Sequence, residues 1–499
     1  MSPSKSARAA ALLVALSGLA AAQSCCDRLR QALPDSIVRP NDTAGTYASL
    51  NGRWSDTAIL APSCIFLPAS AEQVAAGLQL LTDSGLEGGA CKFAIKAGGH
   101  MPIPGANNIQ GGVVMDLAHL DETTLSADKS YVTLGAGGTW SHAYANLVKD
   151  GLAFTGGFCG GTGVGGLSIG GGQSFFQPSQ GWVVDNILSY EVVLASGQIV
   201  TASADSNPDL YKALKGGGSN FGVVTKVDVA TFNFRDMWAG QIVVPVSADA
   251  TSKVLEAAVN FTGRNNQDVH AGIQIIFSYP SNGTALIDLA MASGVENPPV
   301  LQGFTSLQPH VLNTMSKRSL SSFVAEADAT QPPGYRVLGA TVTFANTLEA
   351  IKAVHAVSDV VQRALATEMT DLEFIVNYAP QPRVIATHTS KRGGNVLGLE
   401  NVDHDQIVAF LTPRWTNASH DEAMYAAAQT WVDRCNDALL KIGSLDPFVY
   451  VNFATPQQKP FCSYGKENAA FLKRVAKTYD PEEVFQKLVP GGFKVSVEC

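Results

Sequence analysis

The pattern of apolar and polar residues predicts strands and helices in alternation over residues 56–235. Val74, Leu78 and Leu81 recur at positions i, i+4 and i+7, a spacing that predicts one buried face of a helix. Apolar runs such as "GGVVMDL" predict buried strands, and "EVVLASGQIVTAS" is typical of two strands joined by a Ser-Gly turn. Together these elements indicate an α+β fold.

Glycine becomes rarer after about residue 240, and the predicted elements become longer, as in "HAGIQIIFSY" and "TLEAIKAVHAVSDVVQRAL". This change in composition predicts a second domain over 236–445. Residues 446–499 form a tail that contains the predicted helix "ENAAFLKRVAKTY". More than one domain also suits a chain of 499 residues, which is too long for one simple core.

Composition and charge narrow the class of protein. Apolar residues make up 46% and charged residues 15%, values that describe a well-buried globular protein. The formal net charge of −9 argues against a polyanionic partner, so we expect no nucleic-acid binding. No C-x-x-C or H-x-x-x-H spacing is present, and we expect no metal site.

The beginning of the chain has the layout of a cleaved secretory signal. Lys5 and Arg8 precede an apolar run that ends at Ala22, which predicts a signal peptide over residues 1–22. We therefore expect a protein that is secreted or held in a vesicle or vacuole lumen, without a membrane span. Glycosylation sequons that agree with this route lie at Asn41, Asn260, Asn282 and Asn417.

The cysteines also fit an oxidising compartment, in which most of them would be paired. They lie at positions 25, 26, 64, 91, 159, 435, 462 and 499. If Cys159 has another role, seven cysteines remain and at least one further thiol is left unpaired.

The segment "FCGGTGVGGLSIGGGQSFF", residues 158–176, satisfies several catalytic patterns at once. Gly161, Gly163 and Gly166 fit a dinucleotide-binding fingerprint, and Ser168 stands where a hydrolase nucleophile would. Both patterns require a helix that begins inside the segment, and the triple glycine at 170–172 disfavours one. A glycine-rich structural loop remains the simple alternative.

Glycines in such number let backbone N–H groups approach a large or anionic ligand closely. Further glycine clusters lie at Gly98-Gly99 and at residues 216–218. Three backbone cradles in one domain suggest an extended cofactor with a pyrophosphate.

The motifs "KAGGHMPIPGANN", "GGFCGGTGVGGLSIGGG" and "NPDLYKALKGGGSNFGVVTKV" resemble, in order and spacing, the FAD-linked oxidases of the berberine bridge enzyme-like type. The tail motif "VYVNF" resembles their C-terminal segment. The resemblance implies a PCMH-type FAD domain of two subdomains over 56–235, to which the tail 446–499 returns. The inserted substrate domain, 236–445, would be an antiparallel sheet backed by helices.

The resemblance also implies how the flavin is held. His100 occupies the position that links the 8α-methyl group of FAD, and Cys159 the position of a second, 6-S-cysteinyl link, so we predict bicovalent FAD. Thr162 occupies the position that gates oxygen. Further flavin contacts are implied at Lys96, Gly98, Gly99, Gly163, Gly165, Gly166, Gly170, Gly171, Asp185, Gly222, Val223, Val224 and Asn452.

The catalytic base is less clear, because Phe453 replaces the tyrosine that plant members carry in the tail motif. Phenylalanine cannot accept a proton. The candidates in its place are Tyr378, His388 and Tyr450, and Asn395 is a candidate pocket residue.

The expected activity is removal of a hydride from a small-molecule substrate to FAD, which oxygen then reoxidises with formation of hydrogen peroxide. A secondary metabolite is the first substrate class, and an oligosaccharide oxidised at its anomeric carbon is the second. A serine hydrolase using Ser168 and a flavin-free binding protein are more distant alternatives.

Overall fold

The computed structural model describes residues 24–42, 46–83, 90–279, 283–496 and 499. The predicted signal peptide and the sequon at Asn282 lie outside these residues. The helices are α1 (24–32), α2 (Thr46–Leu50), α3 (Ala71–Thr82), α4 (Trp140–Leu147), α5 (Val164–Ile169), α6 (Gln177–Gln180), α7 (Pro208–Leu214), α8 (Ala248–Arg264), α9 (Gln302–Thr305), α10 (Leu320–Ala329), α11 (Leu348–Ala366), α12 (Asp421–Lys441), α13 (Pro460–Ser463), α14 (Lys466–Tyr479) and α15 (Val484–Lys487).

Two sheets form the first part of the chain. The first is mostly parallel and follows the order β1 (Ile37–Val38), β2 (Cys64–Phe66), β4 (Val113–Asp116) and β3 (Phe93–Lys96). The second is antiparallel and follows the order β5 (Thr123–Leu125), β6 (Tyr131–Gly135), β10 (Val223–Asn233), β8 (Ile187–Val193) and β9 (Ile199–Ser203), with β7 (Leu152–Phe154) beside β10.

A third, antiparallel sheet forms the middle of the chain. Its order is β14 (Leu312–Asn313), β11 (Met237–Pro245), β13 (Thr284–Met291), β12 (Ala271–Tyr279), β18 (Phe374–Gln381), β19 (Gln406–Leu411), β17 (Ala340–Ala345) and β21 (Leu445–Asp446), with β15 (Ser316–Arg318) beside β11. Outside it, β16 (Arg336–Val337) pairs with β20 (Arg414–Trp415).

Local sequence signals explain several of these elements. The Ser70 side chain accepts a hydrogen bond from the backbone of Gln73 and caps α3, whose buried face includes Val74, Leu78 and Leu81 as predicted. The predicted hairpin forms between β8 and β9. The α+β fold is confirmed, whereas the exact domain limits stay predictions.

Burial separates two main hydrophobic cores. One joins the first two sheets with tail residues such as Tyr450 and Leu472. The other fills the space between one face of the third sheet and helices α8, α11 and α12, with Tyr378 and Trp431 at its centre. The opposite face of the third sheet is turned toward the first part of the chain, so a site can form between them.

Three disulfides are present among the described residues, Cys25–Cys91, Cys26–Cys64 and Cys462–Cys499. Cys159 and Cys435 remain as thiols, in agreement with the expectation that most cysteines would pair. None of the helices in the described ranges is long and apolar enough to cross a membrane.

Candidate active site

A cavity of about 420 Å³ lies between the glycine-rich loops and the free face of the third sheet. Its volume is typical of small-molecule sites. The cavity brings together most of the residues predicted to contact a flavin, namely Gly98, Gly99, His100, Cys159, Gly163, Gly165, Gly166, Gly170, Gly222, Val223, Val224 and Asn452. The predicted oxygen gate Thr162 and the candidate base Tyr450 line it as well.

The two predicted flavin loops cross each other in direct backbone contact. A Cβ atom added to Gly98 would lie 2.5 Å from the Cα atom of Gly163, closer than real Cβ contacts occur. At Gly166, in contrast, an added Cβ would meet no described atom within 4 Å and would project into open space. The loops therefore need glycine for two reasons, mutual contact and access to a ligand.

The tail contributes to the same wall. Asn452 Nδ2 donates to the carbonyl oxygen of Gly170 at 3.3 Å and to the hydroxyl of Tyr450 at 2.9 Å. This contact fixes the end of the second loop. Exposed backbone and close loop contact fit a flat, extended cofactor such as FAD, which these loops would hold.

His100 lies at the end of the first loop with its ring stacked on Trp54. The ring centroids are 4.0 Å apart and the planes differ by 11°. Burial lowers the pKa of His100 to about 4, so its imidazole is neutral at physiological pH. A neutral ring nitrogen is the form that can attack an electrophilic carbon.

Cys159 lies on the second loop and takes part in no disulfide. Its Sγ accepts a hydrogen bond from Gln331 Nε2 at 3.0 Å. Burial and the nearby carboxylates of Asp328 and Asp288 raise the pKa of the thiol to about 12, while the Gln331 hydrogen bond opposes that rise. The thiolate is therefore disfavoured until a ligand or a donor stabilises it.

Some residues predicted to contact the flavin do not line the cavity. Lys96 forms an ion pair with Asp116 at 2.8 Å, and Gly171 packs near Tyr450. Asp185 is buried and accepts a hydrogen bond from Asn395 at 2.8 Å, so neither of these two residues faces the cavity.

Two of the predicted bases also do not line the cavity. Tyr378 is fully buried in the core behind the third sheet, where its hydroxyl contacts His355 Nδ1 at 3.2 Å. Neighbouring residues of a strand point to opposite faces, and the Tyr378 side chain lies on the face that does not line the cavity. His388 is held between the carbonyl of Pro178 and the amine of Lys391, also outside the cavity lining.

Tyr450 does line the cavity, but burial raises its pKa to about 12. With this pKa, the Tyr450 hydroxyl remains protonated at neutral pH. Phe453, the residue in place of the family's tyrosine, stacks on Phe410 with ring centroids 4.0 Å apart.

The structure does not support the hydrolase interpretation. Contrary to expectation a helix does form within the glycine run, but α5 has only six residues and ends before Gly170. Ser168 lies in its last turn with a fully buried side chain, and β7 ends ten residues before the helix begins. Ser168 therefore does not stand on the exposed strand-to-helix turn that a nucleophile requires.

Sequence reasoning missed the charged pair in the opposite wall. Glu373, directly before β18, lines the cavity, accepts a hydrogen bond from Ser278 Oγ at 2.7 Å and lies 3.7 Å from Arg414 Nε. Glu373 is the carboxylate among the described lining residues. Strand alternation places Glu373, Ile375 and Asn377 on one face, but the sequence does not show that this face meets the cavity.

Comparison with known proteins agrees with this geometry. A model of the FAD binding domain family matches residues 62–203. The FAD-dependent monooxygenase tpcD of Cochliobolus heterostrophus is 36% identical over 445 residues, which cover 87% of this chain and 85% of that protein. The FAD-dependent monooxygenase sdcF of Emericella nidulans is 33% identical and covers 94% of this chain and 98% of its own.

Among solved structures, glucooligosaccharide oxidase from Acremonium strictum is similar in fold, with a TM-score of 0.77 at 18% identity over 95% of this chain and 99% of that one. The family match and the loops together define an FAD-dependent oxidoreductase. The chain belongs to the FAD-linked oxidoreductases of the berberine bridge enzyme-like type.

Proposed function

We propose that this enzyme oxidises a small secondary metabolite by removing a hydride and a proton from it, with Glu373 as the base. FAD, which the two glycine-rich loops would hold, would supply the redox chemistry, as acceptor of the hydride and as the route of its electrons to oxygen. The main support for this proposal is the position of Glu373, whose carboxylate lines the cavity on the wall opposite the flavin loops. Phe453 leaves the family's usual base position without a proton acceptor.

The surroundings of Glu373 support a role as base. Ser278 holds one carboxylate oxygen, and Arg414, itself fixed by a 2.6 Å hydrogen bond to the carbonyl of Thr330, lies beside the other. These contacts fix the carboxylate while leaving it in the cavity wall. A hydroxyl or acidic C–H of the substrate would transfer its proton there.

The cavity wall favours a compact, partly apolar substrate. Its sheet side combines apolar groups with the amide of Asn377 and the hydroxyl of Thr412, and the apolar members are Ile276, Leu286, Leu338, Ile375, Phe410 and Phe453. A hydroxylated aromatic metabolite suits this mixture. The relatives tpcD and sdcF, both named FAD-dependent monooxygenases, support a fungal metabolite pathway over carbohydrate oxidation.

An oligosaccharide is the second candidate because the Acremonium strictum enzyme, similar in fold, is named a glucooligosaccharide oxidase. Oxygen-uptake measurements on panels of hydroxylated aromatics and of oligosaccharides distinguish the two classes. Turnover confined to the oligosaccharides would overturn the metabolite proposal.

Covalent attachment through His100 and Cys159 is part of the proposal. The Acremonium strictum structure was described for a 6-S-cysteinyl, 8α-N1-histidyl FAD, the same pair of residue types. Absorption spectra and intact mass after denaturation test the links. Flavin released on denaturation would overturn both links, and a colourless protein would favour a flavin-free binding protein.

The fate of oxygen is the next distinction, since Thr162 lies in the cavity at the predicted gate. We propose that oxygen leaves as hydrogen peroxide. The relatives' name suggests insertion of an oxygen atom instead. Turnover under ¹⁸O₂ separates these outcomes: peroxide equal to substrate consumed supports the oxidase, and label in the organic product supports the monooxygenase.

We also propose passage through the secretory pathway. The disulfides and the exposure of Asn41, Asn260 and Asn417 support it. Glycosidase treatment of the protein from its native host tests this route, with a fall in mass expected.

A further inference from the structure

The two predicted attachment residues come from different loops, yet both are connected to one short segment of the chain, Cys159 directly and His100 through Trp54. That segment begins at the end of α10 and contains Asp328 and Gln331. Gln331 lines the cavity and its amide donates to Cys159 Sγ at 3.0 Å. Its backbone carbonyl accepts a hydrogen bond from Trp54 Nε1 at 3.1 Å, and Trp54 stacks on His100.

The segment is itself well fixed. The backbone N–H of Gln331 donates to the carbonyl of Asp328 at 2.9 Å. The carboxylate of Asp328 accepts hydrogen bonds from the backbone of Gly160 and Gly161, directly after Cys159. The end of α10 therefore holds the second flavin loop by both a carboxylate and an amide.

We infer that Gln331 is a positioning residue for flavin attachment, acting on Cys159 through its side-chain amide and on His100 through Trp54. This inference rests on the proposed covalent FAD. It assigns a role to a residue of the substrate domain in preparing the cofactor.

The chemistry explains why a donor is needed at this place. Each attachment joins a protein atom, Cys159 Sγ or a His100 ring nitrogen, to a flavin carbon. One hydrogen leaves the protein atom and one leaves the carbon, so two protons and two electrons are released, and oxygen takes them up as hydrogen peroxide. The thiol must lose its proton in a partly buried site near two carboxylates, and an amide N–H pointing at sulfur stabilises the resulting thiolate.

The contact to Cys159 and the contact to His100 through Trp54 can be tested separately. Gln331→Met removes the donor while keeping a similar side-chain volume, and it leaves the backbone carbonyl that holds Trp54. We expect the fraction of protein linked through Cys159 to fall about tenfold, the effect of one hydrogen bond to a charged group, with His100 still linked. Trp54→Leu should show the reverse pattern, because it removes the ring stacked on His100.

Peptide mass mapping of the purified holoenzymes measures each link separately, and the absorption spectrum reports the number of links. Gln198→Met, the same substitution in the exposed turn between β8 and β9, is the matched control and should keep both links. Incubating the Gln331→Met protein in air at about pH 10 should restore the Cys159 link, because more of the thiol is ionised there.

A Gln331→Met protein with a full Cys159 link would overturn the inference, as would a lost link that high pH fails to restore. Failure of the proposed cofactor gives a different result, since the wild-type protein would then show no linked peptide at either residue.

Discussion

The two walls of the cavity are built on different principles. The loop wall presents backbone from closely packed glycines, with Gly98 and Gly163 in contact. The sheet wall presents side chains from alternate strand positions, among them Glu373 and Asn377. The difference teaches that cofactor binding depends here on the absence of side chains, whereas substrate chemistry depends on a few particular ones.

The largest expected effect comes from the sheet wall. Glu373→Gln keeps the shape and the Ser278 contact but removes the proton acceptor. We expect kcat to fall by roughly 10²–10⁴. Stopped-flow measurement of flavin reduction with the substrate found by oxygen uptake tests this, with the flavin content as the control. An unchanged rate would eliminate Glu373 as the base.

The second largest effect is a pH dependence of stability that comes from Asp288, a buried residue of the sheet wall. Burial raises the pKa of Asp288, which accepts a hydrogen bond from Gln241 Nε2 at 3.0 Å, to about 7. Between about pH 4 and 7 the folded protein keeps a proton that the unfolded chain has lost, so stability falls as pH rises. The free energy of unfolding changes by at most about 4 kcal/mol over this pH range.

Asp288→Asn imitates the protonated acid and should flatten this dependence. Thermal unfolding followed from pH 4 to pH 8 measures it in both proteins. Parallel curves for the two proteins would show that Asp288 does not titrate in this window.

The loop wall is tested by two alanine substitutions. Gly98→Ala forces a Cβ against Gly163 and should lower the free energy of unfolding by about 1–3 kcal/mol, with loss of bound flavin. Gly166→Ala meets open space, so it should reduce flavin content with little change in Tm. Equal loss of Tm in both variants would contradict the distinction between contact and access.

The smallest effect is expected behind the sheet. Tyr378→Phe removes one hydrogen bond, to His355, at a cost of about 1 kcal/mol. Flavin reduction should change less than twofold, because the side chain lies on the core face. A large fall in kcat would return Tyr378 to the catalytic candidates.

The same contrast explains what sequence could predict. The glycine loops, with His100 and Cys159, were recognisable because each follows a fixed local motif. The fold class and helix α3 followed from periodicity alone. Glu373 could not be singled out, because its role depends on which face of β18 is turned toward the cavity, and that is decided by helices far away in sequence.

Asp185 and Asn395, which were predicted at the site but do not line the cavity, also depend on contacts between distant segments. Asp185 and Asn395 lie 210 positions apart and bond to each other rather than to the cavity. Their pairing depends on contact between segments that no local pattern connects. Short-range motifs therefore pointed to residues that line the loop side of the cavity but not to those that line its sheet side.

The alternation of side-chain direction along the strands of the third sheet has a consequence for the evolution of this protein family. Along β18 and the residue before it, Phe374, Val376 and Tyr378 pack toward the helices, while Glu373, Ile375 and Asn377 line the cavity. Substitutions at the second set alter what is bound and leave the first set intact. A lineage can therefore inherit one scaffold unchanged while each descendant acquires its own substrate.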